Sequence, residues 1–286
     1  VNTSTTHDPH PWRIDRSPRL VAVAGMSQPA ARFRDPVLAG SPQEPFPAYE
    51  AALEDRGPAT GTGVAVRPRF RMHGRRSVVE LAGLERCSFY GTGEQAGGLI
   101  RNGTRKTLWN NDHFDYTQRS RNLYQSHPFV LAVRPDGTAA GVIFETTRRC
   151  DIDLRRGVRV EVEGLSPAVT VIERGSAIEV VRALHELTGR IPMPPLWALG
   201  YHQCRWSYEP ESKVREIASE FRRRRIPCDC LWFDIDYMDG FRCFTFDDTK
   251  FPDPKRLNRD LNRQGFRTIY MIDCGIKADP GYDVYR

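Results

Sequence analysis

The sequence predicts a β-sandwich followed by the first part of a (β/α)8 barrel, of which about three strands are present. Three observations lead there. Residues 64–190 carry short β-like runs separated by turn signals. Beyond a proline-rich stretch at 191–195 the rhythm becomes β-α-β-α-β. Each of the three strands in that rhythm then ends in polar residues, at 202–206, 234–239 and 273–277. A doubly wound sheet gathers ligands at one switch point, whereas in a barrel every strand delivers residues to one mouth, so three loaded strand ends favour the barrel.

Residues 1–63 form a poorly defined segment that is part of the sandwich or leads into it. The polar stretch 1–17 lacks the apolar centre of a signal peptide, although a start at Val1 leaves open that something was removed. The sandwich domain is placed at 64–190, with strands expected at 64–66, 78–81, 129–133, 141–145, 158–162 and 169–172. Val158, Val160 and Val162 alternate with Arg159 and Glu161, as in a half-buried antiparallel strand. A helix is expected over 177–188, with Ile178, Val181, Leu184 and Leu187 as its apolar stripe, Val180 and Leu184 one turn apart on it, and Gly189 as its C-terminal cap. Gly91-Thr92-Gly93 and the glycines after it could suggest a dinucleotide loop, but no amphipathic helix follows, so a turn between strands is the better reading.

The barrel portion is placed at 191–286. Its elements are a strand over 198–201, a helix over 211–225 with Val214, Ile217, Ala218 and Phe221 inward, a strand over 230–235, a helix over 254–264 and a strand over 268–272. Gly265 stands where the second helix should end. A full barrel needs about 250 residues, so the chain is expected to break off after its third strand. An unpaired edge and uncovered apolar faces would follow, giving poor solubility and a sandwich that folds better than the barrel portion.

Composition excludes several classes. Of 286 residues, 40% are hydrophobic and 27% charged, which is globular rather than disordered. No apolar run is long enough to span a membrane. The net charge of +6 does not indicate a nucleic-acid partner. The arginines are dispersed, and the dense run 222–225 falls at a helix C-terminus, where cations are favoured. The seven cysteines are odd in number and include no C-x-x-C pair, so neither a disulfide framework nor a metal site is expected. Reduced thiols fit a cytoplasmic location, and no cofactor is implied.

The densest chemical signal is Trp232-Phe233-Asp234-Ile235-Asp236-Tyr237-Met238-Asp239, three carboxylates at the end of an apolar run. On an extended strand Asp234 and Asp236 would point the same way. Two carboxylates on one face require hydrogen bonds or a polar ligand, and a sugar suits them. They are not a catalytic pair, because glycoside hydrolysis needs its carboxylates on opposite faces of the sugar. Trp206 lies past a strand end among polar neighbours and suits stacking on a pyranose. His202 carries no catalytic assignment.

The string Leu196-Trp197-Ala198-Leu199-Gly200-Tyr201-His202-Gln203-Cys204-Arg205-Trp206-Ser207-Tyr208 resembles glycoside hydrolase family 31, in particular its α-glucosidases. So do the Trp232 segment, Phe244-Thr245-Phe246, Phe251-Pro252-Asp253-Pro254 and residues 273–282. Phe89-Tyr90-Gly91-Thr92-Gly93-Glu94 and Leu108-Trp109-Asn110-Asn111-Asp112 are similar to that family's sandwich domain. The resemblance implies a retaining α-glucosidase that hydrolyses terminal α-glucosyl residues of oligosaccharides. It places Asp234 on the glucose hydroxyls, Trp206 and Ile276 on the walls of the reacting subsite, and Asp112 on a sandwich loop that helps hold substrate. Asp236 has no substrate role by this carry-over and is expected to brace the loop. The family's nucleophile and acid/base follow later strands, so no catalytic residue is expected before Arg286 and the chain itself is expected to be inactive. The alternatives are a non-catalytic carbohydrate-binding or regulatory subunit, or a sister activity such as an α-xylosidase or transglucosidase.

Overall fold

The computed structural model describes residues 11–38, 46–59 and 64–286. The chain divides into two compact units, Val1–Arg190 and Ile191–Arg286.

The first unit is a sandwich of two antiparallel sheets. Its strands are β1 (Arg13–Ile14), β2 (Arg19–Ala22), β3 (Ala30–Phe33), β4 (Glu54–Pro58), β5 (Arg67–His73), β6 (Arg76–Ala82) and β7 (Ser88–Gly93). They continue with β8 (Arg105–Leu108), β9 (Ser126–Val133), β10 (Ala139–Glu145), β11 (Cys150–Asp153), β12 (Val158–Glu163) and β13 (Ala168–Arg174). One sheet has the order β1-β5-β6-β12-β11-β8, the other β4-β2-β3-β13-β10-β9-β7. The period of two along each strand divides the apolar residues between two layers. In β10, Ala140, Val142 and Phe144 face the core between the sheets, with Phe33, Phe70, Val79 and Val160. Ala139 and Ile143 face the other way, toward Val180, Ala183 and Leu187 of helix α1 (Ala177–Thr188). Every residue of β10 is buried for that reason.

Several expectations need correction. The first strand after residue 64 is Arg67–His73 rather than 64–66; its arginines alternate with buried Pro68 and Phe70, a pattern the polar residues obscure. The strands β1 to β4, β7, β8 and β11 were not expected. Glycine interrupts β7, where Gly91 comes so close to the carbonyl of Phe129 that a side chain would not fit. The buried face of α1 is Val180, Ala183 and Leu187, with Leu184 packed beside it; Ile178 is 57% exposed. Gly189 does cap this helix, at φ 90°.

The second unit holds a three-stranded parallel sheet, β14 (His202–Gln203), β15 (Cys230–Phe233) and β16 (Arg267–Tyr270), in that order. Helices α2 (Glu211–Arg223) and α3 (Pro254–Arg263) connect them. This is the opening of a (β/α) barrel. Val214 and Ala218 of α2 and Leu257 and Leu261 of α3 pack on Leu231 and Phe233. Asp253 caps α3 by accepting from the Arg256 N–H at 2.9 Å, with Pro254 in the first turn. The first strand is not 198–201: Leu196–Leu199 form a 3-10 turn, and pairing begins at His202. At the end of α2, Arg223 and Arg224 are solvated around Glu220, but Arg222 stacks 3.7 Å over the Phe266 ring and donates to the carbonyls of Gln264 and Cys228. No helix among the described residues is long and apolar enough to cross a membrane. All seven cysteines are free thiols, five of them buried.

Candidate functional site

The parallel register, His202↔Cys230 and Gln203↔Leu231, then Trp232↔Ile269 and Phe233↔Tyr270, brings the C-terminal ends of the three strands to one edge of the sheet. The loops that follow carry Trp206, Asp234 and Ile276. Leu231 and Phe233 point toward the helices, so Trp232 points to the opposite face. There its indole N–H donates to Nδ1 of His202 at 3.1 Å, and the imidazole stacks on Trp197 with ring centroids 6.1 Å apart. That bond leaves the proton of a neutral imidazole on Nε2, a buried atom without a partner among the described residues.

The strand stops at Phe233, which corrects the reading of Asp234 and Asp236 as same-face neighbours on a strand. Asp234 instead caps a 3-10 turn over Ile235–Tyr237, its Oδ1 accepting from the Ile235 N–H at 2.8 Å. It remains partly exposed. Asp236 lies inside that turn, and its Oδ2 accepts from the indole Nε1–H of Trp206 at 2.8 Å and from the Ser207 hydroxyl at 2.5 Å. The two carboxylates therefore have separate surroundings. Trp206 is held by its nitrogen edge while 75% of the residue stays exposed. Partial desolvation raises the Cys204 thiol, and the negative charge of Asp234 adds to that rise.

The loop after β16 is fastened to the loop after β15. Arg242 donates to Asp279 through Nε at 2.9 Å and Nη2 at 2.6 Å. Lys277 Nζ donates to the Gly240 carbonyl at 2.7 Å, and the Cys243 thiol approaches the carbonyls of Ile272 and Gly275 at 3.2 and 3.1 Å. Tyr282 donates its hydroxyl to the Cys243 carbonyl. Ile276 sits between two of these anchored residues and is partly solvent-exposed. The backbone N–H of Gly281 and the Arg242 guanidinium hold the Asp279 carboxyl below its ordinary range.

Asp112 belongs to the sandwich unit, on an exposed loop between β8 and β9. Its neighbours are tied by backbone bonds, Thr107 to Arg121 and Asn111 to Leu123, each at 2.9 Å. Lys106 reaches under the loop, donating to the carbonyls of Ala96 at 2.8 Å and Ser120 at 3.3 Å. Sequence reading missed Lys106, Arg242, Cys243 and Asp279. Gly281 aside, the partners named above lie 10 to 39 residues away in the chain, and no local pattern marks them.

Residues 191–286 match the family model for the glycosyl hydrolases family 31 TIM-barrel domain. Residues 65–153 match that for the glycosyl hydrolase 31 N-terminal galactose mutarotase-like domain. The chain belongs to glycosyl hydrolase family 31. Among curated relatives, α-glucosidase 2 of Bacillus thermoamyloliquefaciens is 41% identical over 202 residues, covering 69% of this chain and 26% of that protein. Among solved structures, a family 31 α-glucosidase from Bacteroides thetaiotaomicron is 50% identical with a TM-score of 0.64, covering 71% of this chain and 35% of that one. A family 31 dextranase from Flavobacterium johnsoniae, solved with glucose, is 25% identical with a TM-score of 0.64, covering 79% of this chain and 30% of that one. This family 31 chain thus spans about a quarter to a third of the length of these relatives.

Proposed function

We propose that this family 31 chain supplies the sugar-holding side of the reacting subsite of a retaining α-glucosidase, which hydrolyses terminal α-glucosyl residues of oligosaccharides. The observation that carries the reading is the delivery of Trp206, Asp234 and Ile276 by three successive parallel strand ends to one edge. In their roles, Asp234 accepts hydrogen bonds from glucose hydroxyls, Trp206 offers an aromatic face, and Ile276 an apolar wall. Asp112, on the sandwich loop, is assigned a sugar-holding role by the family resemblance alone. The names of the α-glucosidase relatives and the glucose in the dextranase complex support this substrate class.

Retaining hydrolysis requires two carboxyl groups about 5–5.5 Å apart that flank the glycosidic bond. Asp236 is committed to Trp206 and Ser207, and Asp234 is a binding group in this reading, so neither supplies that pair. The 286-residue polypeptide is therefore expected to bind but not to hydrolyse. Purified polypeptide incubated with p-nitrophenyl α-glucoside should release no nitrophenol above buffer. Asp234→Ala should weaken glucose binding about tenfold or more in an NMR titration, the effect of removing a charged hydrogen-bond partner. Turnover above buffer, or unchanged binding in the variant, would overturn the reading.

A further inference from the structure

We infer that Asp236 is a positioning residue for sugar binding, fixing the indole of Trp206 so that the face of the ring, rather than its N–H edge, is offered to a hexose. The inference rests on the sugar-binding reading of this edge and assigns the carboxylate that the reading leaves without a substrate role.

The geometry points there in three steps. Trp206 and Asp236 belong to different loops, after β14 and after β15, yet their side chains are joined by a 2.8 Å bond from Nε1. An indole has one donor, so once Asp236 holds it, a sugar hydroxyl cannot take that proton, and the ring plane is what remains accessible. Trp206 is 75% exposed, so little packing orients it. A free exposed tryptophan would lose rotamer freedom on stacking against a ligand, whereas a pinned one has lost it beforehand.

The carboxylate is itself restrained. The Ser207 hydroxyl donates to the same Oδ2 at 2.5 Å. The Asp236 carbonyl accepts from Lys250 Nζ at 3.4 Å, and that ammonium pairs with Glu209 at 2.5 Å, in the loop after β14. The two loops are thus cross-tied at side chain and backbone. The 3-10 turn that holds Asp236 is the one capped by Asp234, so one short turn orients the hydroxyl acceptor and, through Asp236, the stacking ring.

The test uses the full 286-residue chain with Asp236→Ala, Asp236→Asn and Ser207→Ala. The readouts are the indole N–H resonance of Trp206, assigned with Trp206→Phe, and titrations with glucose and with 1-deoxynojirimycin. In Asp236→Ala the Trp206 resonance should move upfield and affinity should fall about tenfold. Asp236→Asn keeps an acceptor oxygen and should restore most of both. Ser207→Ala leaves the indole bond and should leave the resonance in place. An unmoved resonance in Asp236→Ala, or a moved one with unchanged affinity, overturns the inference. So does a Ser207→Ala variant that shifts the resonance as far as Asp236→Ala, which indicates general loosening of the turn. If the unaltered chain binds neither sugar, the proposed function fails; Asp236's hold on Trp206 is still judged by the resonance, but its role in sugar binding falls with that function.

Discussion

At Glu145 four donors converge on one buried carboxylate: two nitrogens of Arg32, the Tyr49 hydroxyl at 2.9 Å and the Thr170 hydroxyl at 2.7 Å. Burial raises the Tyr49 phenol far above its ordinary range, and the negative charge of Glu145 beside it adds to the rise. Glu145→Gln leaves the Arg32 charge with only the longer 3.9 Å pairing to Glu50 and should cost about 3–5 kcal/mol in urea unfolding, with an unchanged slope. Asp279 responds instead to pH. Its folded pKa is depressed, so its contribution to holding the loop after β16 is present above the ordinary carboxylate range and is lost as pH falls through that range toward the folded value. The hydrogen-exchange protection of residues 272–282, measured relative to the intrinsic rate at each pH, should therefore fall below about pH 4, and Asp279→Asn should abolish that pH step. Asp234 was legible in the sequence because carboxylates at the end of an apolar run are conspicuous. Glu145 was not, because Arg32, Tyr49 and Thr170 stand 113, 96 and 25 residues from it.

Among the elements, the helices were read almost to the residue, because 3.6-residue periodicity and end signals such as Asp253-Pro254, Gly189 and Gly265 are local. Strand β12, with its clean alternation, and the apolar runs of β10 and β13 were also visible. Those missed are short, glycine-bearing or lined with arginine, and their identity comes from partners rather than from their own pattern, as where β8 pairs with β11. The face of α1 was right at Val180, Leu184 and Leu187 and wrong at its edge for a related reason: Ile178 continues a plausible stripe, but the surface of β10 decides which side packs and takes Ala183 instead. Gly141 marks that contact, since a Cβ there would come within 2.6 Å of Val180 Cγ1 and 2.8 Å of Phe129 Cε2. Gly141→Val should push α1 off the sheet and lower stability by about 1–3 kcal/mol, measured by chemical denaturation.

For the whole molecule, two units with their own cores are joined at Arg190 and Ile191, and Ile191, Met193 and Leu196 are all more than 85% exposed. Limited thermolysin digestion should cut first between 190 and 197, leaving a resistant sandwich fragment identifiable by mass spectrometry. The fold class was legible at this scale because the change from alternating runs to β-α-β rhythm is a property of long windows. The interleaving of the N-terminal strands with the rest of the sandwich was not. That interleaving has a consequence in time. Strand β3 lies against β13 through Ala31↔Val171, Arg32↔Thr170 and Phe33↔Val169. At a synthesis rate of about 5–20 residues per second, β3 leaves the ribosome on the order of ten seconds before its partner exists. Phe33 must wait through that interval without the layer that will cover it, whereas the strands β14 to β16 find each other within a far shorter length of chain. Strand β3, made well before β13, is among the last in the sandwich to be secured.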